Sequence, residues 1–277
     1  MEMPSFEGIK AMIETAEGIC GDTITKSEFH NETWMLRLVL ALLAEFKGNP
    51  SRVRCYMDGE KPIEKDSEKA FAAMNDVRDA LKTGWISEGG LTPVFKKEKT
   101  TWTDAILGMV HLSKENRAVC LNDDKGGYNG VIVIEAKMGS DLSPGVVHDE
   151  HYDQAARNIA CLSRFVLDCG IDLGKTRFLV VAPKLKLVHW KEQEKKKGKK
   201  HRIYDPDEMI KNANETVENT RREYREGMNK DRLKDNIERI QKNSCAISWE
   251  YILAYMRGHV DGKKFHYLRE YYSSINF

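Results

Sequence analysis

The stretch that decides the fold is Val131-Ile132-Val133-Ile134-Glu135-Ala136-Lys137. Its four consecutive β-branched apolar residues predict a strand that is buried on both faces of a sheet. Side chains two residues apart in a strand share a face, so Glu135 and Lys137 point the same way, with the carbonyl of Ala136 between them. Burial of two ionisable groups at the end of a core strand is unfavourable unless they pair or bind a ligand. The stretch therefore predicts a functional site at this strand end.

A second carboxylate, Asp104, interrupts an otherwise strand-like run upstream. Two carboxylates on neighbouring strands repel each other, and a divalent cation relieves that repulsion. Hard oxygen ligands, here Asp104, Glu135 and the carbonyl of Ala136, favour Mg²⁺ or Mn²⁺. A lysine beside them, Lys137, can orient a water and stabilise charge on a phosphate oxygen. This set of residues predicts metal-assisted hydrolysis of a phosphodiester.

The aspartate of this set has an alternative location. Asp123 and Asp124 lie closer to Glu135 in sequence, within residues 122–129. That segment is rich in Asn and Gly, and aspartates are routine in such turns for conformational reasons alone. We favour Asp104, and the alternative remains open at the level of sequence.

Periodicity along the chain predicts an α/β or α+β core. Apolar residues recur at helical spacing in residues 32–46, 67–82 and 151–168, and the segments 92–95, 101–110, 117–121, 130–137 and 177–182 read as extended. The order from the first of these helices is therefore helix, strands, helix, strand, which favours a mixed sheet flanked by helices. The segment 206–242 reads as a long polar helix, and residues 247–256 as a last apolar helix.

The succession of Asp104, Glu135-x-Lys137 at a strand end, an amphipathic helix and another strand resembles the PD-(D/E)XK nuclease superfamily. The likeness covers residues 28–183 and implies the restriction-endonuclease-like fold, a central mixed β-sheet flanked by helices. In that family the Asp and Glu bind the metal and the lysine assists catalysis. An acidic residue on the first core helix often completes the site; Glu32 matches that position best, and Glu45 is the second choice.

The helix after the Glu-x-Lys strand carries three polar residues on one face. Gln154, Arg157 and Asn158 stand at i, i+3 and i+4 and are therefore neighbours. Many branches of the superfamily place a similar Gln-containing helix beside the active site. We expect Gln154 to support catalysis and Arg157 and Asn158 to contact nucleic acid; the alternative is that all three form the solvated face of an amphipathic helix.

The charge of the chain is unevenly distributed. The totals, 44 Lys plus Arg against 43 Asp plus Glu, give a net charge of +1, which argues against indiscriminate coating of nucleic acid. Residues 184–242 nevertheless hold 18 basic against 12 acidic side chains. The basic run within them is predicted to neutralise phosphates of a nucleic acid, unless it is only a solvated loop; its residues are Lys195, Lys196, Lys197, Lys199, Lys200 and Arg202. Three aromatic residues, Trp102, Trp190 and Tyr204, are candidates either for stacking on bases or for core packing.

Together these patterns predict a Mg²⁺- or Mn²⁺-dependent endonuclease acting on DNA, with RNA as an alternative substrate and with restriction or genome defence as the role suggested by family analogy. A homodimer would suit the cutting of both strands. The second hypothesis is a non-catalytic nucleic-acid-binding or assembly domain that keeps the fold. We divide the chain into a nuclease-like core, residues 1–183, and a basic loop with additional C-terminal helices, residues 184–277, packing on the core.

The sequence also bears on location. No apolar stretch approaches the roughly 20 residues that a membrane span requires, and the first ten residues lack the basic start and apolar run of a signal peptide. The six cysteines form no CxxC pair, which predicts reduced thiols. A cytoplasmic protein without membrane partners is the expectation.

Overall fold

The computed structural model describes residues 5–20, 32–48, 64–114, 117–120, 128–138, 153–188, 210–211, 213–219 and 222–275. Several sequence-predicted residues lie outside these ranges: the basic run from Lys195 to Arg202, the alternative aspartates Asp123 and Asp124, and the aromatic residues Trp190 and Tyr204.

The elements follow in mixed order along the chain. The helices are α1 (Phe6–Cys20), α2 (Glu32–Ala44), α3 (Glu64–Leu81), α4 (Gln154–Cys169), α5 (Ala213–Asn219), α6 (Lys230–Asn243), α7 (Trp249–Met256) and α8 (Gly262–Ile275). The strands are β1 (Trp85–Leu91), β2 (Thr101–Gly108), β3 (Val110–Leu112), β4 (Ala118–Cys120), β5 (Val131–Ala136), β6 (Arg177–Ala182) and β7 (Cys245–Ser248). A 3₁₀ turn at Leu173–Lys175 leads into β6, and a further helical stretch covers residues 184–188.

Five strands form a central mixed sheet in the order β1-β2-β5-β6-β7. The pairs β1/β2 and β2/β5 are antiparallel, whereas β5/β6 and β6/β7 are parallel. The predicted α/β architecture with a mixed sheet flanked by helices is therefore confirmed. None of the helices described is long and apolar enough to cross a membrane.

Helices cover both faces of this sheet. One apolar core joins α1, α2, α3, α7 and α8 to one face, and a second joins α4, α5 and α6 to the other. β5 is buried along its whole length, as expected of a continuous apolar strand between two helical layers.

Helix α4 follows directly from its sequence pattern. Asp153 caps its N-terminus, its side chain accepting a hydrogen bond of 2.9 Å from the amide of Ala156. Gly170 ends the helix in the left-handed conformation, with φ 65°, and its amide donates to the carbonyl of Val166. The Asp153 cap fixes where the helix begins, and so which residues stand in its first turn over the sheet.

The strand predicted over residues 101–110 is divided in two. Gly108 separates β2 from β3 with φ 116°, and a Cβ at this position would collide with the carbonyl of Gly130. Only glycine adopts this conformation at such a close approach without strain. β3 then leaves the central sheet and pairs with β4 as a separate two-stranded ribbon.

The C-terminal segment completes the core. Residues 245–248, predicted in part as the start of a helix, form the edge strand β7, and the apolar helix α7 begins at Trp249. The long polar helix predicted over residues 206–242 is instead two helices, α5 and α6, because Asn229 caps a new start.

Two cysteines pair in the fold. Cys120 at the end of β4 and Cys169 at the end of α4 form a disulfide, with Cα atoms 6.0 Å apart and a sequence separation of 49. The sequence-based expectation of reduced thiols is therefore wrong for this pair, because the fold brings together residues whose spacing carries no motif. Among the described cysteines, Cys161 and Cys245 are free and buried.

Candidate active site

The site begins where two strands of the sheet separate. The register of β2 with β5 ends at Ala105↔Ile134, although β2 continues beside β1 to Thr101. At the next position the amide of Ala136 donates a hydrogen bond of 2.7 Å to Asp104 Oδ2 instead of to a backbone carbonyl of β2. The Asp104 side chain therefore occupies the place of a ladder bond, and a gap opens between the strands.

The backbone geometry places one more oxygen in this gap. The amide of Lys137 donates to the carbonyl of Val181 in β6 at 2.7 Å, so the amide and carbonyl of the preceding residue, Ala136, face β2. The carbonyl of Lys137 accepts a 3.0 Å hydrogen bond from the indole of Trp249, since Pro183 has no amide hydrogen to donate there. These contacts fix the end of β5.

Glu135 and Lys137 form the centre of the site. Their side chains are 3% and 10% exposed, and Lys137 Nζ lies 2.6 Å from Glu135 Oε1. Two groups from α4 also donate to this carboxylate: Gln154 Nε2 to Oε1, and Asn158 Nδ2 to Oε2 at 3.1 Å. A carboxylate has about four acceptor positions, so three nitrogen donors hold it in one orientation.

The electrostatics of these groups reflect two carboxylates close together in a buried place. Burial, and next the Asp104 carboxylate, raise the pKa of Glu135 to about 8, against the lowering effect of Lys137 and Asn158. Burial also raises the pKa of Asp104, although the amide of Ala136 opposes it. Burial alone would lower the pKa of Lys137, but Glu135, Asp104 and Glu32 together raise it. Lys137 is therefore a permanent cation at neutral pH.

Glu32 contributes negative charge to the same place. It stands in the first turn of α2, half-buried, and its carboxylate acts on the pKa of both Asp104 and Lys137. Glu45, the second choice on this helix, lies past the opposite end and pairs with Lys264 at 2.7 Å. The fold therefore brings Glu32 to the site and leaves Glu45 away from it.

The residues present fit a hard divalent cation. The donor set is two carboxylates, Asp104 and Glu135, with the Ala136 carbonyl facing the same gap. Mg²⁺ is commonly held by one or two carboxylates and keeps several waters. Within the ranges described, no group of three or more His, Cys, Asp or Glu side chains is arranged to hold a metal ion. Burial is the largest cause of the raised pKa of both carboxyl groups, and a neighbouring carboxylate adds to it, Asp104 for Glu135 and Glu32 for Asp104. A positive charge would oppose this second effect.

The site opens into a cleft of about 590 Å³. Its described lining is Ser87, Glu88, Trp102, Thr103, Asp104, Leu112, Glu135, Lys137 and Gln154.

One wall of the cleft was not foreseen from sequence. Glu88 lies between the paired positions Ser87↔Ala105 and Gly89↔Thr103 of β1 and β2, and it has φ 57°, an unusual conformation for a residue other than glycine. Arg37 of α2 holds it in place, donating to Glu88 Oε2 at 3.1 Å and to Ser87 Oγ at 2.8 Å. The sequence Ser87-Glu88-Gly89-Gly90 resembles a turn, so nothing in it indicates a strand that faces the site.

The polar face of α4 divides into separate environments. Gln154 and Asn158 face Glu135, and Asn158 is fully buried, so it lies inside the protein and not on a surface that nucleic acid could reach. Arg157 is half-buried, is not among the lining residues of the cleft, and acts on the pKa of the buried Cys161 thiol. Of the three residues, Gln154 alone lines the cleft.

Comparison with known proteins gives no further guide to this site. No protein-family model, no curated protein and no solved structure matches the chain.

Proposed function

We propose that this protein is a nuclease that uses Mg²⁺ or Mn²⁺ to hydrolyse DNA phosphodiester bonds. The observation that carries the proposal is the convergence of Asp104, Glu135 and Lys137 in one cleft, at the point where β2 and β5 separate. A buried carboxylate and a buried lysine at a strand end, beside a second, half-buried carboxylate, are unfavourable for stability unless they serve a function. DNA is favoured over RNA only by the resemblance to the PD-(D/E)XK nucleases.

Each residue has a specific task under this proposal. Asp104, Glu135 and the Ala136 carbonyl would hold the metal, which when bound polarises a phosphate oxygen and lowers the pKa of water. Lys137, charged throughout, donates hydrogen bonds that orient the attacking water or neutralise the phosphate. Gln154 and Asn158 are positioning residues, because they act on Glu135 and hold its carboxylate in one orientation.

The fold supports the same proposal at a finer level. From α2 onward the chain runs through helices, the antiparallel strands β1, β2 and β5, then α4 and the parallel strand β6. This is the order expected of the restriction-endonuclease-like fold, with the active carboxylates on β2 and β5. We assign the specific fold as part of the proposal.

The test is cleavage of plasmid and of linear single-stranded DNA with Mg²⁺ or Mn²⁺. We expect Glu135→Gln and Lys137→Met each to lower the rate by about 100-fold or more. Glu270→Gln is the matched control, since that carboxylate is 67% exposed on α8 and pairs with His266 on the same helix. Equal rates for wild type and both site variants would refute the assignment.

A second candidate is a nucleic-acid-binding or assembly domain without catalysis. It is favoured by the hydrogen bonding of Glu135, because three nitrogen donors already occupy most of the acceptor positions of its carboxylate. On this reading the cluster is a structural network, and DNA binding would persist in a chelator. Titration calorimetry distinguishes the two: Mn²⁺ binding that disappears in Asp104→Asn supports the nuclease, and absence of Mn²⁺ binding supports the structural network.

A further inference from the structure

Trp102 lines the cleft but has no role in the proposed hydrolysis. Trp102 is 53% exposed, whereas its strand neighbours Thr101 and Thr103 are buried. The other exposed large apolar side chains in the described part of the chain, Met12 and Leu185, are not among the residues that line the cleft. Of the two sequence-based alternatives for Trp102, core packing is therefore wrong. An indole left in water beside a charged site is suited to contact a ligand that has its own apolar face.

The strand places Trp102 next to the proposed reaction centre. Trp102 and Asp104 are two residues apart in β2 and share a face, so their Cα atoms are separated by about 6.6 Å. A sugar-phosphate unit spans a gap of this order between a phosphate and its own base. A phosphate bound at Asp104 and Glu135 would therefore bring an adjoining base to the indole.

The neighbouring strand leaves the indole accessible. The register of β1 with β2 pairs Trp102 with Gly90, which has no side chain to cover it. On the other side, β2 no longer pairs with β5 beyond Ala105↔Ile134, and the amine of Lys137, which lines the same cleft, is directed to Glu135. The ring is therefore exposed in the cleft, beside a register position without a side chain and a cation that is engaged with Glu135.

We propose that Trp102 is a stacking platform for a nucleobase adjoining the scissile phosphate, and that the preferred substrate is consequently single-stranded or contains an unpaired base. This inference rests on the proposed function, because the phosphate is placed by the metal-binding carboxylates. In a continuous duplex both faces of each base are covered by the bases above and below it. An unpaired base offers a free face to the indole, and such stacking tolerates any sequence because every base has a π-face.

The experiment compares two fluorescein-labelled DNA probes of the same sequence: a single-stranded oligonucleotide and a fully paired, blunt-ended duplex with G·C pairs at both ends. Binding is measured by fluorescence anisotropy with Ca²⁺ in place of Mg²⁺, so that affinity is followed without turnover. We expect Trp102→Ala to weaken single-strand binding by about 5- to 150-fold and to change duplex binding by less than about twofold. Trp102→Phe should keep most of the single-strand affinity, since it keeps an aromatic face.

Met12→Ala is the matched control, because Met12 is 55% exposed but lies on α1, outside the cleft lining. Single-strand affinity that is the same in Trp102→Ala and wild type would overturn the inference, and so would equal losses on both probes. The nuclease proposal is tested separately by cleavage. Wild type that cleaves both probes equally, with no effect of Trp102→Ala, keeps the nuclease and refutes the stacking. Single-strand binding that is weakened by Trp102→Ala, with no cleavage by wild type under any metal condition, keeps the stacking and refutes the nuclease.

Discussion

The raised pKa of Glu135 predicts how stability depends on pH without metal. The group has a pKa of about 8 in the folded protein, against 4.5 as its ordinary value. Between these two values the folded protein keeps a proton that the unfolded chain releases, so the free energy of unfolding falls as pH rises. The stabilisation from protonated Glu135 is complete below about pH 4.5 and lost by the time the pH passes about 8.

The magnitude follows from the two pKa values. Each pH unit between them lowers the stability by about 1.4 kcal/mol, so the loss between about pH 5 and about pH 8 is about 3 to 4 kcal/mol. Glu135→Gln removes the titrating group but keeps its shape. Its amide presents one oxygen to three donors, which destabilises the variant without adding a titrating group. The slope with pH, not the absolute stability, is therefore the informative quantity.

The assay is urea unfolding in EDTA, followed by far-UV circular dichroism at several pH values from about 5 to about 8. We expect the wild type to lose stability relative to Glu135→Gln across this range, by the amount given above. Glu270→Gln, at an exposed position, should run parallel to wild type. If Glu135→Gln also runs parallel to wild type, Glu135 is ionised at its ordinary pKa. Lys137 alone would then compensate the charge of both carboxylates, contrary to what we expect.

Three further outcomes are expected. Asn158→Ala removes the donor to Glu135 Oε2. We expect the free energy of unfolding to fall by about 1 to 3 kcal/mol and cleavage to slow by about 10- to 100-fold. Unchanged values of both would contradict the positioning role of Asn158. Glu32→Gln should weaken Mn²⁺ binding, measured by calorimetry, by less than about tenfold, whereas Asp104→Asn should weaken it by more than about tenfold. The reason is that only Asp104→Asn removes a proposed ligand. A larger loss in Glu32→Gln than in Asp104→Asn would exclude Asp104 as the main ligand. Cys120→Ser removes the disulfide to Cys169, which has a sequence separation of 49. By the chain-entropy relation this should lower the free energy of unfolding by about 4 kcal/mol. Urea unfolding measures it, with reduced wild type as the control, and equal stability of oxidised and reduced wild type would contradict it.

The sequence predicts those elements whose pattern is periodic and whose partners are local. β6 is found at its predicted bounds, and α2, α3, α4 and β5 lie within a few residues of theirs. Residues 92–95, predicted as extended, lie just after the strand β1 (Trp85–Leu91), and no pattern predicts β1 because its two adjacent glycines conceal it. β7 has four residues between two helices, and only its pairing with β6 makes it a strand, which no local pattern reveals.

The site was predictable where it depends on alternation along a strand. Glu135 and Lys137 must share a face, and the burial of the preceding residues implies that they are close to the core. The pairing of Asp104 with the amide of Ala136 was not predictable, because it depends on where two strands stop pairing. The left-handed Glu88 and its contact with Arg37 depend on tertiary packing in the same way.

The indole of Trp249 has a consequence for how this protein can be divided. It donates to the carbonyl of Lys137, in the middle of the site, from a helix that follows the edge strand β7. A fragment that ends near residue 183 would lose both β7 and Trp249. The edge of β6 would then be exposed, and the Lys137 carbonyl would lack its indole donor. The proposed reaction centre is therefore completed late in synthesis, after residues more than a hundred positions downstream of Lys137 have emerged. We do not expect the N-terminal two thirds of the chain to show the proposed activity by itself.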